Sequence, residues 1–375
     1  MRISRVSFTY GKDKTLLKLI SKLFVYPIKS IRGCEVQSAL LTREGFHLDR
    51  RFMLLKSNSQ TPGPRKLENM HITRFPAMCL FHTYIIDSRL VVSYTPVGAA
   101  IASSTIEIPL EPENWGNLEK VEVNMHSSVT TSYDMGDKYN AWFSEHFGFP
   151  VVLAFWGLNP RLVLGNLPFQ LPNIGPESAS PLTKFISSLP VIGPFLTPQS
   201  QGVIAFNDCA PYLVISDTSV DDVSARLPDD ISMDLTKFRA NIVVTGAKVA
   251  YNEDFWSELT FSPLSPNSPV SVTTQAIPSP KIILTSNCGR CASLNVDYTT
   301  GCHLTNPSTQ PLKLLQKDRR VDPGMKYSPI FGRYGFASKE SEGSVLRIGD
   351  IVSVSRVNKE RTIFCKSFRV PALDL

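Results

Sequence analysis

Apolar residues in the first half of the chain gather in brief runs without helical period: LFVYPI at 23–28, MLL at 53–55, LVVSYTP at 90–96 and IEIPL at 106–110. Short Val/Ile/Phe-rich runs divided by turn residues read as strands, so a small β domain is predicted over residues 23–156. Its end is marked by DMGDKYNAWFSEHFGFPVVLAF, where Trp142, Phe143, His146 and Phe147 share one face of a short helix before a last strand. That spacing makes His146 a boundary residue rather than a ligand. From 157 to 200 the period disappears, and LPFQLPNIGPE and SSLPVIGPFLTPQS are rich in Pro, Gly, Ser and Leu. A linker or insertion is predicted there. Its apolar residues either pack across the domain junction, the plainer reading, or form a patch for a partner or a membrane.

A second β-rich domain is predicted over 201–357. The strand PYLVIS leads into a helix, DTSVDDVSARL, with Val220, Val223 and Leu227 on one side and Thr218 and Asp221 as a capping box. FRANIVVTG, DFWSEL and KIILTS follow, and then a cysteine cluster. VLRIGDIVSVSRV closes the domain as a hairpin turning at Gly349-Asp350. Residues 1–22 are left as an N-terminal extension or insertion and 358–375 as a C-terminal tail. No internal repeat is present.

Length supports two domains, since 375 residues exceed one comfortable core. Hydrophobic residues at 42% and charged residues at 19% are ordinary for a folded globular protein and exclude a disordered or fibrous chain. A net charge of +6 favours anionic ligands or acidic partners, but the basic residues are not clustered as nucleic-acid binding requires. No run reaches the ~18 to 20 apolar residues of a transmembrane span. The first 22 residues carry six basic side chains against one acid, a balance compatible with a mitochondrial presequence though weakly amphipathic. Seven cysteines, odd in number and sparse, point to a reducing, intracellular compartment, mitochondrial or cytoplasmic.

Cys288-Gly-Arg-Cys291 follows directly on KIILTS, which predicts both thiols in a strand-end loop able to present sulfur to a ligand. A soft thiolate suits molybdenum, zinc or iron–sulfur iron, and the neighbouring Arg290 is expected to lower a cysteine pKa. A structural zinc site would need two further ligands. Cys302 and His303 are adjacent and ill placed for two tetrahedral vertices. A thioredoxin-like dithiol would open a helix, whereas ASLNVDYTTG reads as strand and turn. Cys79, Cys209 and Cys365 read as buried, inert thiols.

Four motifs in order, LFVYPIKSIRG with GFHLDRRFMLL, FRANIVVTG with EDFWSEL, NCGRCASLNVDYTTG and SPIFGRYGFA, resemble the MOSC-domain family over most of the chain, in particular its amidoxime-reducing members and their bacterial relatives. The resemblance implies a β-rich α+β fold, an N-terminal MOSC-type β-barrel domain followed by a C-terminal MOSC β-barrel with short helices. It implies a molybdenum–molybdopterin cofactor with Cys291 as the metal ligand and catalytic sulfur; pyridoxal phosphate binding is a family-level association. Lys29 and Ser30, beside Arg32, make a basic, hydroxyl-bearing turn suited to a phosphate or a pterin edge, or else a solvated surface turn. Arg50 and Arg51 point to opposite faces if both lie in a strand, and by similarity Arg51 faces the cofactor. Arg239 and Asn241, two apart in FRANIVV, present a guanidinium and an amide on one strand face, for the cofactor or as a buried polar pair. Asp208, Gly289, Arg290 and Tyr334 complete the cofactor set, with Gly289 where relatives often carry a small hydroxyl residue. Cys209 and Ala210 also replace hydroxyl residues, which removes those contacts. VSFTYGKDKTLLKLISK stands between MRISR and LFVYPIKS, where relatives run a short strand straight into the latter. It is read as an insertion or an unremoved intron.

The implied activity is reduction of small N-hydroxylated molecules by oxygen-atom transfer. With no flavin, nicotinamide or ferredoxin fingerprint in the chain, electrons would come from an external donor, in the family a b-type haem protein with its flavin reductase. Two alternatives stay open. One is a cofactor-carrier or sulfur-transfer module, which would need a cysteine desulfurase domain that does not precede the first motif. The other is a structural zinc protein.

Overall fold

The computed structural model describes residues 17–58, 66–163, 165–168, 203–264 and 279–365. Most of the predicted linker, the first sixteen residues and the last ten of the tail therefore lie outside the described residues. Seven strands close into a barrel: Leu19–Val25, Ile242–Thr245, Tyr212–Ser216, Ile330–Ala337, Lys281–Gly289, Trp256–Ser262 and Ile351–Val357, the last returning to the first. Tyr212–Ser216 and Ile242–Thr245 run parallel, and the helix Asp217–Ser224 supplies part of the crossover that a parallel pair requires. Leu23, Tyr212, Val214, Ile242, Leu259, Phe261 and Ile282 fill one core of this barrel with essentially no exposure.

The barrel's first strand begins before the predicted domain. Leu19–Val25 pairs with Ile242–Thr245, and Ile20 and Leu23 are buried in the barrel core, so a boundary at 22/23 would cut a strand. LISKLFV is the strand that forms, and MRISR lies outside the described residues.

The N-terminal unit is built from a five-stranded antiparallel sheet, in the order Lys120–Met125, Ser128–Asp134, Val151–Phe155, Phe52–Asn58 and Lys66–Asn69, and a three-stranded sheet, Phe81–Ile86, Arg89–Tyr94 and Ser104–Pro109. Lys120–Met125 alternates exposed and buried residues throughout, as one solvated sheet face demands. The helix Asp137–Phe147 ends on Gly148 in the left-handed region at φ 73°, where glycine adds no Cβ clash. Trp142, Phe143, His146 and Phe147 do share a face, and the Phe81 ring meets all four at 4.8 to 6.2 Å. Burying Phe81 and Phe143 completely contributes about 2–3 kcal/mol each, which fastens the helix across both sheets.

Two local expectations fail for identifiable reasons. The helix at 217 starts two residues earlier than a capping box at Thr218 requires; Ser216 is the N-cap, and Thr218 Oγ1 donates instead to Ala247 O at 3.1 Å. No hairpin forms over 345–357. Gly349, at φ 90°, does turn the chain, and the Arg347 amide donates to Asp350 Oδ2 at 2.8 Å. But Val345–Arg347 pairs with Ser38–Thr42, and Ile351–Val357 pairs with Trp256–Ser262. Alternation fixes a strand and its turn without naming the partner.

Candidate functional site

The two units face each other across a cavity of about 610 Å³. Asp208, Phe238, Arg239, Asn241, Cys288 to Cys291 and Tyr334 line it from the barrel, and Lys29, Ser30 and Arg50 from the chain that leads out of the first strand. Glu68 to Thr73, Met125 and His126 close it from the N-terminal unit. Every predicted site residue except Arg51 therefore reaches one wall or another.

The two cysteines occupy different environments. Cys288 lies within the strand Lys281–Gly289 rather than in a loop, is 3% exposed, and shares a hydrogen bond with the Tyr334 phenol. Burial pushes its thiol above the usual range and outweighs the opposing pull of Arg290, so the expected lowering does not occur at this sulfur. Burial likewise raises the Tyr334 phenol, helped by the neighbouring thiols of Cys288 and Cys209. Cys291 stands just past the strand at the start of a short 3-10 turn, Ala292–Asn295, where strand and turn were expected. Its sulfur is exposed and lies 3.2 Å from Ser293 Oγ. It is the thiol of the pair free to meet a ligand. A Cβ at Gly289 would come within 2.6 Å of Met325 Sδ, so the missing hydroxyl could return only if that methionine moved.

Arg290 holds this loop rather than the cavity. Its Nη1 donates to Phe238 O at 2.7 Å, Nε and Nη2 donate to Phe331 O at 2.9 and 2.7 Å, and the guanidinium lies against both rings. Arg290 nevertheless borders the cavity, with these three donors taken up by backbone carbonyls. Asn241 is engaged in the same manner: Oδ1 accepts from the Leu213 amide at 3.2 Å and Nδ2 donates to Phe24 O at 3.3 Å. The strand begins only at Ile242, and Arg239 is in the left-handed region at φ 55°, so the two do not share a strand face although both border the cavity.

Electrostatics single out Arg239. Lys29 forms an ion pair with Asp208 and donates to Phe206 O at 3.1 Å; burial pulls its ammonium below the usual lysine range. Burial alone would raise the Asp208 carboxyl, but Lys29 and the His126 ring together hold it well below the usual carboxylate range. Arg50 pairs with the buried Asp49. Arg239 lies 4.4 Å over the Tyr26 ring and donates from Nη1 to Ile31 O, yet it makes no ion pair among the described residues. Its Nη2 is sealed from solvent without any partner. Asn207 Oδ1 is another buried polar atom without a partner, beside the same cavity. A buried guanidinium nitrogen with nothing to donate to is costly. An anion in the cavity would relieve it.

Arg51 is corrected. It lies 4.6 Å over the Trp156 ring, away from the cavity, and Arg50 is the arginine that lines it. Arg50 sits at φ 53° just before the strand Phe52–Asn58, so a turn, not strand alternation, aims the pair. Sequence reasoning also missed His71, Thr73, His126, Asn207 and Lys237; the first three come from loops of the other unit, and no local signal marks them. Among the described residues no group of three or more His, Cys, Asp or Glu is placed to hold a metal ion on its own. Nor, among those residues, is any helix long and apolar enough to cross a membrane.

Comparison with known proteins agrees with the architecture. The MOSC N-terminal beta barrel domain model matches residues 17–150, and the MOSC domain model matches residues 201–353. Mouse mitochondrial amidoxime-reducing component 1 is 26% identical over 340 residues, covering 89% of this chain and 81% of that protein. The human mitochondrial amidoxime reducing component 2 is 27% identical over 341 residues, with 89% and 82% covered. That of Macaca fascicularis reaches 36% over 153 residues, or 40% of this chain and 38% of its own. With an N-terminal barrel domain followed by a MOSC domain, and relatives aligned over most of its length, the chain belongs to the MOSC-domain family.

Proposed function

We propose that the chain holds a molybdenum–molybdopterin cofactor in the inter-unit cavity, with Cys291 as the protein's sulfur ligand, and reduces small N-hydroxylated molecules. The observation that carries this reading is the exposed Cys291 thiol on the wall of a cavity where Arg239 Nη2 is buried without a partner. A soft sulfur donor and an unsatisfied guanidinium fit the two ends of a ligand that carries a thiophilic metal and a phosphate. Lys29, Ser30, Arg50 and Arg239 would hold the anionic part, and Tyr334 and Asp208 would border it. Arg290 and Asn241 position these groups through backbone carbonyls and amides. When bound, such a group supplies two-electron oxygen-atom exchange.

The chain's own residues bind, orient and shield. Arg239 offsets negative charge where water is excluded, which strengthens the interaction relative to solvent. Electrons are proposed to come from an external donor, a b-type haem protein served by a flavin reductase, and the basic net charge suits an acidic partner. An intracellular site of action, mitochondrial or cytoplasmic, goes with that reading. The test is expression in a host that makes the cofactor, followed by metal analysis and an assay for amidoxime or hydroxamic acid reduction with a reduced viologen. Molybdenum with reduction supports the proposal. Molybdenum without reduction indicates a carrier, and zinc alone refutes the cofactor assignment.

A further inference from the structure

Three observations set His126 apart. The strands Lys120–Met125 and Ser128–Asp134 are joined by a two-residue hairpin whose central residues are His126 and Ser127, at φ 56° and 72°. Positive φ at both positions is the requirement of a type I′ turn, for which Asn–Gly is the favoured pair. His–Ser holds it here instead. The imidazole at this tip borders the cavity that also holds Cys291, although it belongs to the opposite unit. His126 Nε2 is 3.9 Å from Asp208 Oδ1, and Asp208 is in turn paired with Lys29. A histidine in the left-handed region of a turn, bordering a cavity, is a candidate for a role beyond the turn itself.

Resting on the reductase reading above, we propose that His126 is the proton donor on the substrate side of the cavity, oriented by Asp208. Breaking the N–O bond of an N-hydroxylated molecule takes two electrons and two protons; the oxygen leaves as water with one proton, and the nitrogen gains the other in its place. The electrons come from the external donor. His126 Nε2 gives one proton to the departing oxygen, and solvent at the mouth gives the second. The ring, 68% exposed at the side chain, then recovers its proton from water. Asp208 faces the imidazole directly, Lys29 stands behind Asp208, and Arg50 and His71 border the same cavity.

The test is His126→Asn in the molybdenum-loaded protein, with His126→Gln as a second variant. Asparagine suits the turn, and the exposed 3.9 Å contact it gives up is worth little. The variant is therefore expected to melt at or above the wild-type midpoint and to carry wild-type molybdenum. Its kcat with a reduced viologen is expected to fall about 10²- to 10³-fold with KM little changed. Added imidazole should restore part of the rate, and the pH profile of kcat should differ from that of the wild type. A variant with full molybdenum, wild-type kcat and an unchanged pH profile overturns the assignment. So does rate loss in His126→Asn that imidazole leaves unrestored and that His126→Gln does not reproduce. Wild-type protein loaded with molybdenum but inactive would instead remove the reductase reading and this role with it, a result separate from failure at His126 alone.

Discussion

Replacing Arg239 by asparagine should have opposite consequences for the ligand and for the fold. A charge-assisted hydrogen bond contributes about 1.5–3 kcal/mol, so removing the guanidinium should weaken retention of an anionic cofactor roughly 10- to 150-fold. The apo protein has less to lose. Asparagine forfeits the hydrogen bond to Ile31 O, about 1 kcal/mol, and the contact with the Tyr26 ring at 4.4 Å, about 1–2 kcal/mol. Against that, it accepts the left-handed φ of 55° more readily, by roughly 1 kcal/mol, and removes a buried nitrogen that has no partner. The net change in apo stability should lie within about 1 kcal/mol, a shift of some 2–4 °C or less in midpoint. Wild type and variant would be purified from a cofactor-competent host, washed identically, and analysed for molybdenum and pterin per chain. The apo forms would be melted in parallel. Full cofactor retention in the variant would refute the anion role of Arg239. A loss of more than about 3 kcal/mol in apo stability would show that its role is to hold the fold.

Two further outcomes follow from the same geometry. Arg51→Ala should retain cofactor, whereas Arg50→Lys, which keeps a charge against Asp49 but lacks the fork that reaches Arg239 O at 3.2 Å, should lose most of it; metal content per chain decides between them. Glu253 is fully buried, and burial raises its carboxyl to about 7 from 4.5. Below the unfolded value both states hold the proton; as pH rises from there the unfolded chain ionises first, so wild-type stability declines and levels off above the folded value. The difference amounts to about 3 kcal/mol at most. Glu253→Gln should lack this decline and gain on wild type between pH 4.5 and 8 in urea unfolding, and a constant difference across that range would contradict the assignment.

Strand positions were legible because alternation and turn residues are local. KIILTS and the aromatic helix face form where the pattern puts them, LFV ends a strand that starts earlier at Leu19, and the CxxC lies at the end of its strand. Partners were not legible. The first strand closes the second barrel, and the strands on either side of Gly349 join different sheets, because pairing depends on which apolar faces meet across the whole chain. The site shows the same division. Residues marked by motif, such as Lys29, Arg239 and Cys291, reach the cavity. Arg50 and Arg51 exchange roles because a left-handed residue sits where an extended strand was assumed. Arg290 was read as a charge beside a thiol, but the carbonyls of Phe238 and Phe331 take up its donors. His71 and His126 could not be found from sequence, since only the docking of the two units carries them to the cavity.

The Cys291 sulfur is tested by metal analysis of Cys291→Ala. Because the side chain is exposed and its only described polar contact is with Ser293, alanine there should leave the fold intact. With wild type carrying molybdenum and reducing a hydroxamic acid, the variant should lose that reduction entirely and carry less molybdenum. A folded Cys291→Ala protein that keeps both the metal and the activity would contradict the ligand role of that sulfur.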